Sequence, residues 1–272
     1  MELKDGINEC DNSTYHGDRN YLSSSALKLL LEDPLQFYKK YVSTDAFFSS
    51  VGSSAMDLGS YVHSLILEPE KTKDEFIEWS GIRRGAEWLE FYNNNKNKII
   101  LNSAAIELGK KLELELRKNK AVQKLLVGGS PEYTYCTTLE DTKIKVRADY
   151  INLNNNYILD VKTTSKPLTK ESLMGSIASL HYDLSAALYV DCFKKINNVD
   201  HMDFYFLFVN TKDSLDSIVY KASPVLLNNG RRKYKKAIKI FKECKKSGIW
   251  RSDDVEEIDV PFWSLLPDEE TP

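Results

Sequence analysis

Lys143-Ile-Lys-Val-Arg-Ala-Asp-Tyr-Ile-Asn-Leu-Asn-Asn-Asn-Tyr-Ile-Leu-Asp-Val-Lys-Thr-Thr164 is the stretch that decides the fold. Two runs rich in β-branched and aromatic residues flank an Asn cluster, and Asn tolerates the positive φ of a tight turn, so the stretch reads as a β-hairpin. A two-residue loop at Asn154-Asn155 sets Asp149 directly opposite Asp160. Alternation along the strands then puts Arg147 opposite Lys162 on that same face and leaves Val146, Ala148, Tyr150, Leu159 and Val161 on the core face. Opposed side chains have Cβ atoms about 5 Å apart, where like charges repel. A divalent cation bridging the two carboxylates offsets that repulsion, with Lys162 beside it as a donor or water activator. The same residues also read as a solvated face on which Arg147 and Lys162 are ion-pair partners of the two Asp.

Working outward, Glu132 to Leu139 reads as a strand that turns at Glu140-Asp141 and pairs with the strand beginning near Lys143. A two-residue turn there places Glu132 opposite Asp149, so three carboxylates share a row; a slip of one residue sends Glu132 to the other face. After the hairpin, helices are expected over Thr169 to Leu180 and Tyr182 to Ile196. On the second, Ser185 and Tyr189 share a face while Leu184, Leu188 and Cys192 form an apolar stripe. Strands follow over Asp203 to Asn210 and Ser217 to Ser223, then a helix over Asn229 to Ser247 that buries Tyr234, Ile238, Phe241 and Cys244. Between Arg231 and Lys246 this helix carries Glu243 as its only acid among Arg and Lys residues that include Lys235, Lys236 and Lys239. That makes it either a local positive patch for nucleic acid or a solvated surface.

Toward the N-terminus, the first twenty residues are polar and expected to be loosely ordered. Ser23-Ser24-Ser25 offers an N-cap to a helix ending before Pro34, and Leu35 to Tyr41 forms a second, basic and aromatic piece with Lys39 and Lys40. Ser53 to Leu67 reads as a helix carrying His63, with Gly59 leaving space one turn before the imidazole. His63 is either a metal ligand or a hydrogen-bonded, partly buried side chain. Around Arg83 and Arg84, the aromatics Trp79, Trp88, Phe91 and Tyr92 suit a cap on the core better than a nucleic-acid clamp. Leu101 to Leu126 gives one long amphipathic helix stopped by Gly128-Gly129-Ser130-Pro131.

Composition is that of an ordinary globular protein, with 42% hydrophobic and 28% charged residues and a net charge of -3, which argues against a uniformly basic coat but not against a basic groove. No apolar run reaches the roughly 20 residues that span a bilayer, and Met-Glu-Leu-Lys-Asp lacks a signal peptide's features, so a cytoplasmic location without membrane contact is expected. Cys10, Cys136, Cys192 and Cys244 have no Cys-x-x-Cys spacing and are expected to be reduced thiols. The expected organisation is a loose segment 1–20, a single domain over 21–264 and an acidic tail over 265–272. Trp250 and Val260-Pro261-Phe262-Trp263 are expected to fold back on the domain.

The series Gly59-Ser-Tyr-Val-His63, Arg147-Ala-Asp149, Leu159-Asp-Val-Lys-Thr-Thr164 and Tyr182-Asp-Leu-Ser-Ala-Ala-Leu-Tyr189 resembles the PD-(D/E)xK nuclease superfamily, most closely its RecB-type branch and phage exonuclease VIII-like proteins. The opening Ser23-Ser-Ser-Ala-Leu-Lys-Leu-Leu-Leu-Glu-Asp-Pro34 and closing Val260-Pro-Phe-Trp263 extend the resemblance from Tyr21 to Trp263. It implies an α/β, restriction-endonuclease-like core with a mixed central sheet of about five strands. His63, Asp149, Asp160 and the Val161 carbonyl would hold one or two Mg²⁺ ions, with Mn²⁺ able to substitute. Lys162 would orient or deprotonate the attacking water, and Glu132 would assist the second metal or the water. DNA would meet Arg147, Tyr182, Ser185, Tyr189 and the basic helix at Lys235, Lys236 and Lys239. The implied activity is a double-strand-end exodeoxyribonuclease of phage or prophage recombination in the bacterial cytoplasm, forming a homo-oligomeric ring and feeding a single-strand annealing protein. A structure-specific or single-strand endonuclease, and a DNA-end-binding accessory without turnover, are the alternatives. Two positions depart from relatives: Ser185 stands where many carry Gln, and Asp33-Pro34 stands where iron-sulfur members carry Cys, so no cluster is expected.

Overall fold

The computed structural model describes residues 2–43, 53–252, 254, 255, 257–261 and 264. Residues 2–20, expected to be loose, instead form a short strand β1 (Gly6–Asn8) and helix α1 (Asn12–Gly17). Their polar side chains bond locally: Asn8 closes a turn on Lys4, and the Asp11 carboxylate accepts the Thr14 N–H at 2.7 Å as an N-cap. Leu3, Tyr15 and Tyr21 then bury themselves with Cys136. Composition hid this order because the stabilising donors lie far away in sequence. The Lys145 ammonium donates to the carbonyls of Tyr15 and Asp18, and the Arg147 guanidinium to the Cys10 carbonyl.

Ser23 caps α2 (Ser24–Glu32), and Asp33 caps the short α3 (Pro34–Phe37), which continues into a π-turn over Tyr38–Val42. Ser53 caps α4 (Ser54–Leu67), followed by α5 (Pro69–Glu75), β2 (Phe76–Glu78), α6 (Gly85–Asn94) and β3 (Ile99–Leu101). β2 and β3 pair in parallel, and Phe76 and Leu101 bury against Tyr61 and Ile106. The long helix expected from Leu101 to Leu126 is two helices, α7 (Ser103–Lys118) and α8 (Lys120–Leu125). Asn119 breaks it: its carbonyl oxygen caps α8, and its amide donates to the Ser217 carbonyl at 3.0 Å and hydroxyl at 2.9 Å.

The main sheet has six strands rather than about five. To β1 it adds β4 (Ser130–Leu139), β5 (Thr142–Asn152) and β6 (Tyr157–Thr164), then, after α9 (Lys170–Ser179) and α10 (Tyr182–Asn197), β7 (Asp203–Asn210) and β8 (Ser217–Lys221). The order is β1-β4-β5-β6-β7-β8, antiparallel except for β6 and β7, which the α9–α10 crossover makes parallel. Both hairpin registers are those expected: Leu139 faces Thr142 across a turn in which Glu140 and Asp141 both have positive φ, and Asn152 faces Tyr157. The second loop holds four residues, 153–156, instead of two, braced by the Asn155 N–H donating to Asn152 Oδ1 at 2.9 Å.

Ile158, Phe204, Phe206 and Phe208 face one core with α2, α10 and the last helix, α11 (Pro224–Ser247). Leu159, Val161, Leu207 and Val209 face a second core with α4, α7 and α8. The single core face expected for the hairpin is therefore split, since Val146 and Ala148 join the first core and Tyr150 joins Leu159 and Val161 in the second. Alternation changes phase at Asp149 and its partner Glu132, which has φ 50 and drops out of the ladder between Pro131 and Tyr133. α11 starts earlier than expected because Ser223 caps it ahead of Pro224. Gly230 lets it approach α10, since a Cβ there would collide with the Asp183 carbonyl. Trp250 packs back on Phe37, ring centroids 5.5 Å apart, whereas Phe262, Trp263 and the acidic tail lie outside the described residues.

Candidate metal centre

The phase change in β5 builds the site. Beyond Tyr150, β5 and β6 no longer pair, and the Val161 N–H donates to Asp149 Oδ2 at 2.7 Å instead. The same oxygen lies 3.0 Å from His63 Nε2, and His63 Nδ1 lies 3.4 Å from Glu132 Oε1. α4 brings His63 this close because Gly59 has no Cβ: one there would come within 3.0 Å of Thr163 Oγ1 on β6. The space expected beside the imidazole is thus used by the sheet. Ligand atoms of His63, Glu132 and Asp149 all lie within 4.8 Å of one another.

Charges in this cluster are strongly shifted. Burial disfavours the His63 cation, but the Asp149 charge and hydrogen bond, with Glu132 behind them, outweigh it and raise the pKa to about 9. Burial raises Glu132 to about 7 despite the nearby imidazole. For Asp149 burial is overcome by His63, Lys162 and the Val161 N–H, which hold the carboxyl below its usual range. Asp160 is fully buried and pushed upward by burial, with Lys162 Nζ 2.6 Å from its Oδ2. Burial opposes the Lys162 charge, yet Asp160 and Asp149 together raise its pKa well above the usual ammonium range. Lys162 therefore stays protonated at neutral pH, a hydrogen-bond donor and fixed positive charge that does not act as a base.

The donor set suits a hard divalent cation: an imidazole, two carboxylates and the adjoining Asp160 carboxylate, whose buried Oδ2 is paired with Lys162. A sequence model of the family described as "PDDEXK-like domain of unknown function (DUF3799)" matches residues 23–260. The chain belongs to this PDDEXK-like family. Among solved structures, a provisionally named exonuclease from Eubacterium rectale aligns with a TM-score of 0.67 at 13% identity, over 93% of this chain and 97% of that one. At such identity the likeness is one of fold, and it agrees with a restriction-endonuclease-like core. A phage related exonuclease from Haemophilus somnus 129PT aligns at a TM-score of 0.36 and 12% identity, over 84% of this chain and 96% of its own. No curated protein matches the chain.

Two cavities open onto the centre of the PDDEXK-like domain and share Glu132 and Asp149. The larger, about 1100 Å³, is lined by Arg19, Lys40, Tyr41, Tyr189 and Lys245; the smaller, about 570 Å³, by Gly59, His63, Lys162 and Tyr182. Tyr182 and Tyr189 thus reach the cavities, while Ser185 between them is buried in α10. Arg147 lines the larger cavity, but its guanidinium is engaged by Thr134 Oγ1 at 2.9 Å, Asn12 Oδ1 at 2.6 Å and the Tyr15 ring at 5.0 Å. On α11, Lys235 pairs with Glu140 at 2.8 Å and Lys239 with Glu243 at 3.8 Å, leaving Lys236 unpaired among the described residues. Of the cavity-lining cations, Arg19 carried no sequence signal because α1 and the π-turn had to be placed first.

Proposed function

We propose that this PDDEXK-like domain is a Mg²⁺-dependent deoxyribonuclease acting from double-strand ends, leaving a single-stranded tail for an annealing protein in phage recombination within the bacterial cytoplasm. A ring of subunits and substitution of Mn²⁺ for Mg²⁺ belong to the same reading. The observation that carries it is the Asp149 junction, where a broken ladder gathers His63, Glu132, Asp149, Asp160 and Lys162 at the meeting of two cavities. His63, Asp149, Asp160 and the Val161 carbonyl would hold the cation, which supplies positive charge to the attacking and leaving oxygens of the phosphodiester. Glu132, with a pKa raised to about 7, is matched to accept a proton from water near neutral pH. Lys162 keeps its proton and orients the water or the phosphate by charge. Tyr182, Tyr189, Arg147 and α11, through Lys236 foremost, would flank the strand.

The test is cleavage of a linear duplex labelled separately at each 5′ and 3′ end, with Mg²⁺ or EDTA, beside a closed circular duplex. Mg²⁺-dependent loss from one end type with the circle intact is expected, and Asp160→Ala should abolish it while DNA binding remains. Cutting of the circle would establish an endonuclease instead. Absence of cleavage with retained, salt-sensitive binding would establish an end-binding accessory.

A further inference from the structure

The two cavities meet at more than Glu132 and Asp149. Both are also lined by Asn12 and His16, one turn apart on the same face of α1. β5 pins this helix in place. Lys145 donates to the carbonyls of Tyr15 and Asp18 on either side of His16, and the buried Tyr15 ring lies 4.9 Å from the Lys145 ammonium and 5.0 Å from the Arg147 guanidinium. Arg147 also donates to Asn12 Oδ1 at 2.6 Å and lies 3.5 Å from Glu132 Oε2, so one cation joins α1 to the candidate site.

His16 itself is left free. Its backbone is fixed by these neighbours, but its side chain is exposed to the cleft and makes no hydrogen bond or ion pair among the described residues. Its ring contact is with Tyr15, edge-on, with centroids 5.2 Å apart. The charged groups facing it are cations: Lys145 and Arg147 on β5 and Lys40 on the π-turn. Partial burial in the cleft wall, and then these three charges, hold its pKa below the ordinary value. An imidazole with both ring nitrogens unengaged, set in a cationic wall common to two cavities, suits an anionic chain that runs through both.

We propose that His16 is a strand-binding residue outside the metal-ligand set, hydrogen-bonding a phosphodiester of the nucleic acid where the strand passes between the two cavities, with Asn12 beside it on the same wall. The identity of the strand rests on the nuclease reading. The role of α1 is then twofold, since the contacts that order the N-terminal residues also fix the imidazole at the passage.

The experiment measures binding of fluorescein-labelled, single-stranded oligothymidylate to the full chain in EDTA by anisotropy, at about pH 8 and about pH 6, which bracket the ordinary histidine range. The unaltered protein, His16→Ala and His16→Gln are compared, with thermal melts of each and cleavage of the labelled duplex in Mg²⁺. His16→Ala should weaken binding by about tenfold, the scale of a hydrogen bond to a charged group, and raise KM far more than it lowers kcat. His16→Gln, which keeps a donor, should recover part of the loss, and all three proteins should melt alike because the imidazole bonds to nothing in the fold. A phosphodiester beside the imidazole favours its charged form, so the unaltered protein should gain affinity toward about pH 6 by more than either variant. His63 and Glu132 are common to all three proteins and cancel in that comparison. His16-dependent binding without DNA cleavage would uphold the contact and overturn the nuclease reading. Cleavage by His16→Ala with an unchanged KM, and binding with the same pH dependence as the unaltered protein, would overturn the contact and leave the nuclease reading standing. A lowered melt with KM unchanged would also overturn it, by making His16 a part of the fold alone.

Discussion

β5 carries two different ladders along its two edges. Toward β4 it pairs from Thr142 to Ile151 with one gap, at Glu132 and Asp149; toward β6 it pairs only over Tyr150 to Asn152. The gap and the early end of the second ladder fall on the same residue. On the β4 side Glu132 takes a positive φ and the register resumes unchanged, so the strand recovers. On the β6 side the Asp149 carboxylate takes the Val161 N–H, and the strands part. A buried N–H must find an acceptor, and supplying it from a side chain leaves a second carboxylate oxygen and a widening cleft. The closed edge completes the sheet; the open edge is where the candidate metal ligands gather.

That contrast can be broken from either side. The largest expected effect is on the open edge: Asp149→Ala should lower cleavage by on the order of 10³-fold, from losing a metal-ligand and backbone contact together. The circular dichroism spectrum should keep its sheet signal. Retained turnover would place the chemistry elsewhere. Next comes the proton on His63. Its folded-state pKa of about 9 lies above the ordinary 6.5, so in metal-free protein its protonation stabilises the fold fully below about 6.5 and this contribution fades as pH rises through 9. A cation needs the neutral imidazole, so metal uptake should release a proton and affinity should climb by up to about tenfold per pH unit between 7 and 9. Calorimetry in two buffers of different ionisation heat measures the release; equal heats would remove His63 from the ligand set. The smallest effect belongs to the closed edge. A Cβ on Gly129 would collide with the Ile151 carbonyl and the Tyr150 ring, so Gly129→Ala should cost about 1–3 kcal/mol. The melting temperature would fall by roughly 2–4 °C per kcal/mol, with activity per folded molecule unchanged. A variant that melts normally would show that this edge tolerates more than its register suggests.

Much of this was legible in the sequence, for a local reason. Both hairpin registers follow from turn residues and alternation between adjacent strands, α4 follows from its start at Ser53 and its apolar side, and α10 from its apolar stripe. What escaped reading depended on distant partners. β1 and α1 are held by Lys145 and Arg147, more than a hundred residues along the chain. Asn119 breaks a continuous helical pattern because Ser217, on the far edge strand, accepts its amide. Within the candidate site, His63, Asp149, Asp160 and Lys162 could be picked out by residue type and order. Their pairing could not: strict alternation sets Asp149 against Asp160, whereas the phase change turns Asp149 to His63 and leaves Asp160 with Lys162.

The short strand β1 also has a role in how copies of the chain meet one another. It pairs antiparallel with Thr134, Tyr135 and Cys136, the outward edge of β4. Without it, that edge would offer free amides and carbonyls to any other strand in solution, an invitation to sheet-to-sheet stacking. A chain shortened to begin at Asn12 would keep every candidate metal ligand and still be expected to self-associate with rising concentration. Light scattering of such a truncated form would read the change directly. The N-terminal residues then act as a safeguard of solubility as much as a wall of the cleft.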